Sequence, residues 1–296
     1  MRFLRASNIG FCFGVQRAYN IIRDRRKKFI PPVRILGDLV HNSHIIKELD
    51  EWGIERVLDV SGIKDGTLIV PAHGCDPALV ISLCRKGVAV INTTCPKVGR
   101  AIAEAQKLKR EGFSVIILGD KDHSEVRAIN GALRGEGFIC SSVEEAGKAA
   151  KKLIKAHKVP GLISQTTQNT EVFQELKKVL SALCSNAKVI DTICTATYDR
   201  QQEVRRMAVE ADVMIIIGTS TSANSSRLME ISRERNKRTY FVDTVAELRR
   251  EWFLPGDLVG LATGASTPEA VIESIAARIS ALTGGNKGKE PYCRQK

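Results

Sequence analysis

Short apolar runs alternate with longer amphipathic stretches along nearly the whole chain. The runs "VRILGD", "GTLIVPAHG", "GVAVINTTC", "FSVIILGD", "VPGLISQTT", "AKVIDTIC", "DVMIIIGTS" and "DLVGLATGAS" each close around a Gly, Ser, Thr, His or Cys. Between them, segments such as "GRAIAEAQKLKR" and "EVFQELKKVLSAL" bring an apolar residue round about every 3.6 positions. Runs that are continuously apolar, with no alternation, predict strands covered by helices on both faces. The pattern therefore predicts an α/β class with parallel sheets.

The same pattern repeats. Gly37, Gly119 and Gly218 close "RILGD", "IILGD" and "IIIGT", with steps of 82 and 99 residues. Three solitary cysteines, Cys12, Cys95 and Cys194, stand at strand-to-helix junctions with steps of 83 and 99. Each precedes its glycine by 24 or 25 residues. A third landmark follows each glycine, His73 in "PAHG", Thr166 in "SQTT" and Ser266 in "ATGAS". Three copies of one unit are predicted: 1–96 (with Cys12), 97–193 and 194–281, followed by a flexible tail, 282–296. Around a pseudo-threefold axis, such copies would bring three strand ends and three thiols to one point. The carboxyl ends of parallel strands are where such sheets bind ligands.

A length of 296 residues suits this count of units. No apolar run approaches the ~20 residues of a membrane span. The start of the chain shows neither the apolar core nor the small-residue cleavage site of a secretory signal. A cytoplasmic protein without a membrane partner is expected. The net charge of +12 sits largely on helical stretches such as "IIRDRRKK" and "AQKLKREG", and suits an anionic metabolite or an acidic protein. Aromatic residues do not interleave with these charges and no nucleic-acid motif is present, so no nucleic-acid partner is expected. In a reducing compartment the eight cysteines predict ligands or nucleophiles rather than a disulfide framework. Cys84 and Cys184, inside helical patterns, are expected in the core.

Three thiolates from distant parts of a chain suit a metal centre. Structural zinc asks for four protein ligands, often at short C-x-x-C spacing, and neither is present. Soft thiolates also select iron–sulfur clusters. A cubane cluster held by three cysteines keeps one iron without a protein ligand, which favours catalysis over electron carriage. The neighbouring loops carry "HNSH" with His41, "AHG" with His73, "DHSE" with His123 and Glu125, "QTT" with Thr166 and Thr167, "TSTSANSS" with Ser222, Asn224 and Ser225, and "GAS" with Ser266. Hydroxyls, amides and backbone N–H groups at helix starts hold phosphate well. Glu125 is the natural proton donor among them.

Taken together, "GFCFGVQRA", "GDLVHN", "PAHG", "TTCPKV", "DHSEV", "QTT", "DTICTATYDRQ", "SANS" and "GAS" resemble the 4-hydroxy-3-methylbut-2-enyl diphosphate reductase family, from about residue 2 to 281. The resemblance implies a trefoil of three α/β units around a [4Fe–4S] cluster with Cys12, Cys95 and Cys194 as ligands. It implies that His41, His73, His123, Ser222, Asn224 and Ser266 contact an allylic diphosphate, with Thr167 and Ser225 in the same loops. It implies that Glu125, helped by Thr166, delivers protons. The implied reaction is a reductive dehydroxylation to isopentenyl and dimethylallyl diphosphate, with two electrons from a ferredoxin- or flavodoxin-like donor. Two other readings fit the same residues: a paralogous cluster enzyme for another anionic substrate, and a non-catalytic iron–sulfur redox protein. The chain also departs from the family pattern. Ala223 stands where a serine is expected, Thr221 where an asparagine is, Asp122 where a glycine is, and Thr195 where an aromatic is.

Overall fold

A computed structural model describes residues 2–283, so the tail expected at 282–296 lies outside the described residues from 284 onward. In chain order the elements are β1 (Arg2–Arg5), α1 (Phe13–Arg25), β2 (Val33–Leu36), α2 (Ser43–Glu51), β3 (Glu55–Val57), β4 (Thr67–Val70), α3 (Pro77–Arg85), β5 (Ala89–Asn92) and α4 (Pro96–Arg110). There follow β6 (Ser114–Leu118), α5 (Ser124–Ala132), β7 (Phe138–Cys140), α6 (Val143–Lys155), β8 (Pro160–Ser164), α7 (Thr170–Leu183), β9 (Lys188–Val189) and α8 (Thr195–Glu210). The last are β10 (Val213–Ile217), α9 (Ala223–Arg235), β11 (Thr239–Val242), β12 (Leu258–Thr263) and α10 (Glu269–Leu282). None of these helices is long and apolar enough to cross a membrane.

The strands form three four-stranded parallel sheets, ordered β3-β2-β4-β5, β7-β6-β8-β9 and β11-β10-β12-β1. Each reads second, first, third, fourth when its strands are ranked along the chain, provided the start of the chain is taken as the continuation of its end. The spacing of the repeats put residues 1–96 in the first unit; β1 instead fills the fourth place of the third sheet, with Arg2 to Arg5 in register with Leu258 to Leu261. The chain divides into two compact units: Phe13–Val40 with Ile45–Cys194, which holds two sheets, and Met1–Cys12, His41–His44 and Thr195–Lys296, which holds the third.

Local sequence explains the elements. The inner strands β4, β8 and β10 are buried along their whole length and β6 from Val115 onward, which is why they read as unbroken apolar runs. Ser142 caps α6 by accepting from the Glu145 N–H, while the Glu145 carboxylate accepts from the Ser141 N–H, a reciprocal start signal. Asn169 caps α7 by accepting from the Glu171 N–H at 2.9 Å. Pro96 opens α4 directly after Cys95, where a missing N–H costs nothing.

Candidate active site

Three loops repeat the same backbone contacts. In each sheet the glycine after the first strand donates its N–H to the carbonyl that ends the second: Gly37 to Val57 at 2.8 Å, Gly119 to Cys140 at 2.9 Å and Gly218 to Val242 at 3.0 Å. The cysteine beyond each fourth strand donates to the loop beyond the third: Cys12 to Ala265 at 3.0 Å, Cys95 to Ala72 at 2.9 Å and Cys194 to Thr166 at 3.0 Å. The residue after each acceptor is Ser266, His73 or Thr167, so Thr167, and not the Thr166 chosen from spacing, is the counterpart of His73 and Ser266. Four residues beyond the glycines stand His41, His123 and Ser222, likewise equivalent.

The unit with two sheets carries Cys95, Cys194, His73, His123, Glu125, Thr166 and Thr167. Glu125 lies in the first turn of α5 and is 1 % exposed. Its Oε1 accepts from the Thr166 N–H at 2.6 Å and its Oε2 from the Thr166 hydroxyl at 2.8 Å. Burial pushes the carboxyl up to about 7 from an ordinary 4.5, against the pull of both Thr166 hydrogen bonds. The Glu125 N–H donates to His123 Nδ1 at 3.1 Å, making His123 the cap of α5. A neutral imidazole that accepts at Nδ1 carries its proton on Nε2. The His123 ring stands edge-on to His73, with centroids 5.2 Å apart. Gln165, buried, accepts from the Asp120 N–H at 2.9 Å and donates to the Thr167 hydroxyl at 2.7 Å, tying two loops of one sheet together.

The other unit carries Cys12, His41, Ser222, Asn224, Ser225 and Ser266. The His41 carbonyl accepts from the Thr219 hydroxyl at 2.9 Å and from the Ser266 hydroxyl at 3.5 Å. Ser222 caps α9, whose first turn holds Asn224 and Ser225. Both amide atoms of buried Asn224 have no hydrogen-bond partner among the described residues. Such orphaned groups are rare and point to a ligand. The Ser225 hydroxyl is packed against two glycines: a Cβ built on Gly218 or Gly264 would fall 2.4 or 2.0 Å from it. The unexpected Thr221 hydroxyl meets that of Thr219 at 3.0 Å.

Cys12, Cys95 and Cys194 are half-buried and take part in no disulfide among the described residues. Cys84 and Cys184, expected in the core, are exposed and half-buried, because Cys84 lies on an outward face of α3 and Cys184 is the extended residue that follows α7. Among the described cysteines, Cys140, which ends β7, is the buried one. Burial pushes the Cys140 thiol up to about 11, the value of an inert structural cysteine. Gln165 and the pair Arg200 and Glu203 were not singled out from sequence. "SQTT" contains Gln165, "DTICTATYDRQ" contains Arg200 and Glu203 stands two residues beyond that stretch, but an isolated polar side chain leaves no periodic signal.

Comparison with known proteins places these loops in a family. The LytB protein family model matches residues 3–280. A 4-hydroxy-3-methylbut-2-enyl diphosphate reductase of Aquifex aeolicus is 39% identical over 284 residues, covering 95% of this chain and 96% of its own. A solved structure of (E)-4-hydroxy-3-methyl-but-2-enyl diphosphate reductase, the terminal enzyme of the non-mevalonate pathway, is 38% identical with a TM-score of 0.67, covering 95% of this chain and 100% of its own. The solved E-1-hydroxy-2-methyl-but-2-enyl-4-diphosphate reductase of Plasmodium falciparum is 25% identical with a TM-score of 0.87, covering 99% of this chain and 95% of its own. With its three matched sheets and loops and a family match across nearly its whole length, the chain belongs to the LytB protein family.

Proposed function

We propose that the chain is a 4-hydroxy-3-methylbut-2-enyl diphosphate reductase in which Glu125 is the proton donor. The observation that carries this reading is the buried carboxyl of Glu125, held by Thr166 through both oxygens and pushed up to about 7. A purely structural carboxylate at the start of a helix is favoured in its charged form by the helix dipole. This one is poised to hold and release a proton near neutral pH, the property a general acid needs.

The donor set fits a [4Fe–4S] cluster. Cys12, Cys95 and Cys194 occupy topologically equivalent places, each make the equivalent backbone hydrogen bond, and are half-buried and outside any disulfide. When bound, the cluster supplies electrons and an iron without a protein ligand. The polypeptide does the rest. His123, with its proton on Nε2, offers a donor to a phosphate oxygen, and His73 stands beside it. Thr167 has its hydroxyl fixed by Gln165. In the other unit, Asn224 offers its unpartnered amide, Ser222 and Ser266 offer hydroxyls, His41 belongs to the same loop set, and Ser225 shapes the turn. Ala223 removes one donor that the family pattern has, a hydrogen bond to a charged group worth about 1.5–3 kcal/mol. Reduction consumes two electrons and two protons: the hydroxyl leaves as water, and a carbon of the allylic chain is protonated. Glu125, with the Thr166 hydroxyl at 2.8 Å, is the group able to pass a proton to the substrate. An acidic ferredoxin- or flavodoxin-like donor in the cytoplasm matches a chain of net charge +12.

The test is anaerobic turnover of the diphosphate with dithionite as reductant, with isopentenyl and dimethylallyl diphosphate as the expected products. Glu125→Gln is expected to keep the brown cluster chromophore and lose turnover. A colourless, zinc-bound protein would end the reading. So would a brown protein that leaves the diphosphate untouched.

A further inference from the structure

Each of the three helices that follow the solitary cysteines carries an arginine five or six residues beyond the cysteine: Arg17 after Cys12, Arg100 after Cys95 and Arg200 after Cys194. Each of the three donates to the loop of another cysteine. Arg17 Nη1 donates to the carbonyl of Thr94, the residue before Cys95, at 3.3 Å. Arg100 Nη2 donates to the carbonyl of Asp191, three residues before Cys194, at 3.4 Å. Arg200 Nη2 donates to the carbonyl of Gly10, two residues before Cys12, at 2.8 Å, and its Nη1 donates to the carbonyl of Asn8. The order is closed: the helix begun after Cys12 holds the loop of Cys95, the next holds the loop of Cys194, and the last holds the loop of Cys12.

The three grips differ in strength, and the loops explain why. The loops before Cys95 and Cys194 organise themselves. Asn92 Oδ1 accepts from the Thr94 N–H and Asp191 Oδ1 from the Ile193 N–H, both at 2.9 Å. In both, a threonine two residues before the cysteine donates its hydroxyl to the carbonyl at the end of the third strand, Thr93 to Val70 at 2.6 Å and Thr192 to Ser164 at 2.5 Å. The Cys12 loop has Ile9 and Gly10 at those places and offers no such side chains. Its hydroxyl comes from the other side, with the Gly10 N–H donating to Thr263 Oγ1 at 3.0 Å. Its grip comes from α8. Arg200 is 5 % exposed and also donates to the Thr263 carbonyl at 3.1 Å. Glu203, one turn on, accepts from the N–H groups of Ser7 and Asn8 at 2.5 and 3.1 Å. One helix face thus holds the carbonyls and the amides of the same loop.

We propose that Arg17, Arg100 and Arg200 are positioning residues that set the three thiols in a cyclic order, each acting on the next cysteine along the chain and Arg200 being the dominant one. The inference rests on the cluster reading for its purpose, but the geometry and its test stand without a cluster. A guanidinium suits the task because it offers several fixed donors and stays charged, so it can bind two carbonyls of one loop and anchor them to a third.

The test is residue-resolved alkylation by iodoacetamide in the full-length, iron-free chain under native conditions, followed by mass spectrometry. Buried Cys140 serves as the internal gauge of global unfolding. Arg17→Gln is expected to speed alkylation of Cys95 alone by about fivefold, the loss of one ordinary hydrogen bond expressed as local opening. Arg100→Gln is expected to do the same for Cys194 alone. Arg200→Lys should speed Cys12 by about 25-fold, since a lysine keeps one of the three bonds to the carbonyls of Asn8, Gly10 and Thr263 and two go at once. If Arg200→Lys fails to fold, half-buried Arg17 and exposed Arg100 still decide the matter. Equal acceleration of all three thiols, acceleration of the thiol that opens the substituted helix, or unchanged rates would overturn the proposal. Loss of turnover or of the brown chromophore in the unsubstituted chain would instead bear on the proposed function.

Discussion

Glu125 is pulled two ways, and the balance is measurable. Burial raises its carboxyl to about 7 while two Thr166 hydrogen bonds oppose the rise. A folded-state value above the unfolded one means a stabilising contribution complete below pH 4.5 and lost as the pH climbs through about 7. The glutamine of Glu125→Gln can accept from the Thr166 N–H and donate to its hydroxyl, so it mimics the protonated acid without titrating. Urea denaturation should show the variant gaining about 3 kcal/mol over the parent between pH 4.5 and pH 8, since one pKa step is worth 1.36 kcal/mol. A gap that does not change with pH would show that the carboxyl is not buried in its charged form. In turnover the same group sets the alkaline limb: as a donor it must be protonated, so kcat is expected to fall as pH rises through about 7. A second residue-scale outcome concerns Gly264, where a Cβ would meet Ser225 Oγ at 2.0 Å and Ser225 Cβ at 3.2 Å. Gly264→Ala is expected to lose about 1–3 kcal/mol in denaturant melts and to weaken diphosphate binding through the Asn224 turn.

At the scale of elements, what the apolar pattern revealed and what it missed have one physical origin. The eight runs that read as strands are β2, β4, β5, β6, β8, β9, β10 and β12. The four missed are β1 (RFLR), β3 (ERV), β7 (FIC) and β11 (TYFV), and all lie at sheet edges. An edge strand is short and covered on fewer sides, so in β1 and β3 charged residues such as Arg2, Arg5 and Glu55 are tolerated and break the apolar signal, while β7 and β11 carry no charge but are only three and four residues long. The loops were readable for a different reason. Equivalent loops make the same hydrogen bonds, so the residues that make them recur at fixed distances. Thr166 was chosen over Thr167 because spacing alone cannot separate neighbours, whereas the Cys194 N–H bond to the Thr166 carbonyl can. Thr192 shows how much one junction carries. Its hydroxyl accepts from the Ser164 N–H at 2.8 Å and donates to the Ser164 carbonyl at 2.5 Å, all buried. Thr192→Val keeps the shape and leaves two buried backbone groups unpaired. The expected cost is about 1–3 kcal/mol in thermal or denaturant unfolding, against under ~0.5 kcal/mol for a surface threonine.

At the scale of the whole molecule, the third sheet joins the two ends of the described chain. Arg2 pairs with Leu258, a separation of 256 residues, while Ser114 pairs with Pro160, a separation of 46. Closing the longer loop costs about 1.5 kcal/mol more by the logarithmic dependence on length. Sheets built from neighbouring segments therefore have a head start over the one that must wait for β12. Pulsed hydrogen exchange during refolding is expected to protect the amides of β6 and β8 before those of β1, and before Ala6, which donates to Leu261 at 2.9 Å. The order bears on the metal centre. The Cys12 N–H donates to Ala265, beyond β12, so the loop of the first thiol is set only when that sheet closes, whereas the Cys95 and Cys194 bonds lie within the other unit. If three placed thiols are the condition for cluster uptake, chemical reconstitution started during refolding should follow protection of the Cys12 amide and lag behind protection of β6. Cluster absorbance that develops in step with β6, ahead of β1, would show that two thiols suffice to begin assembly.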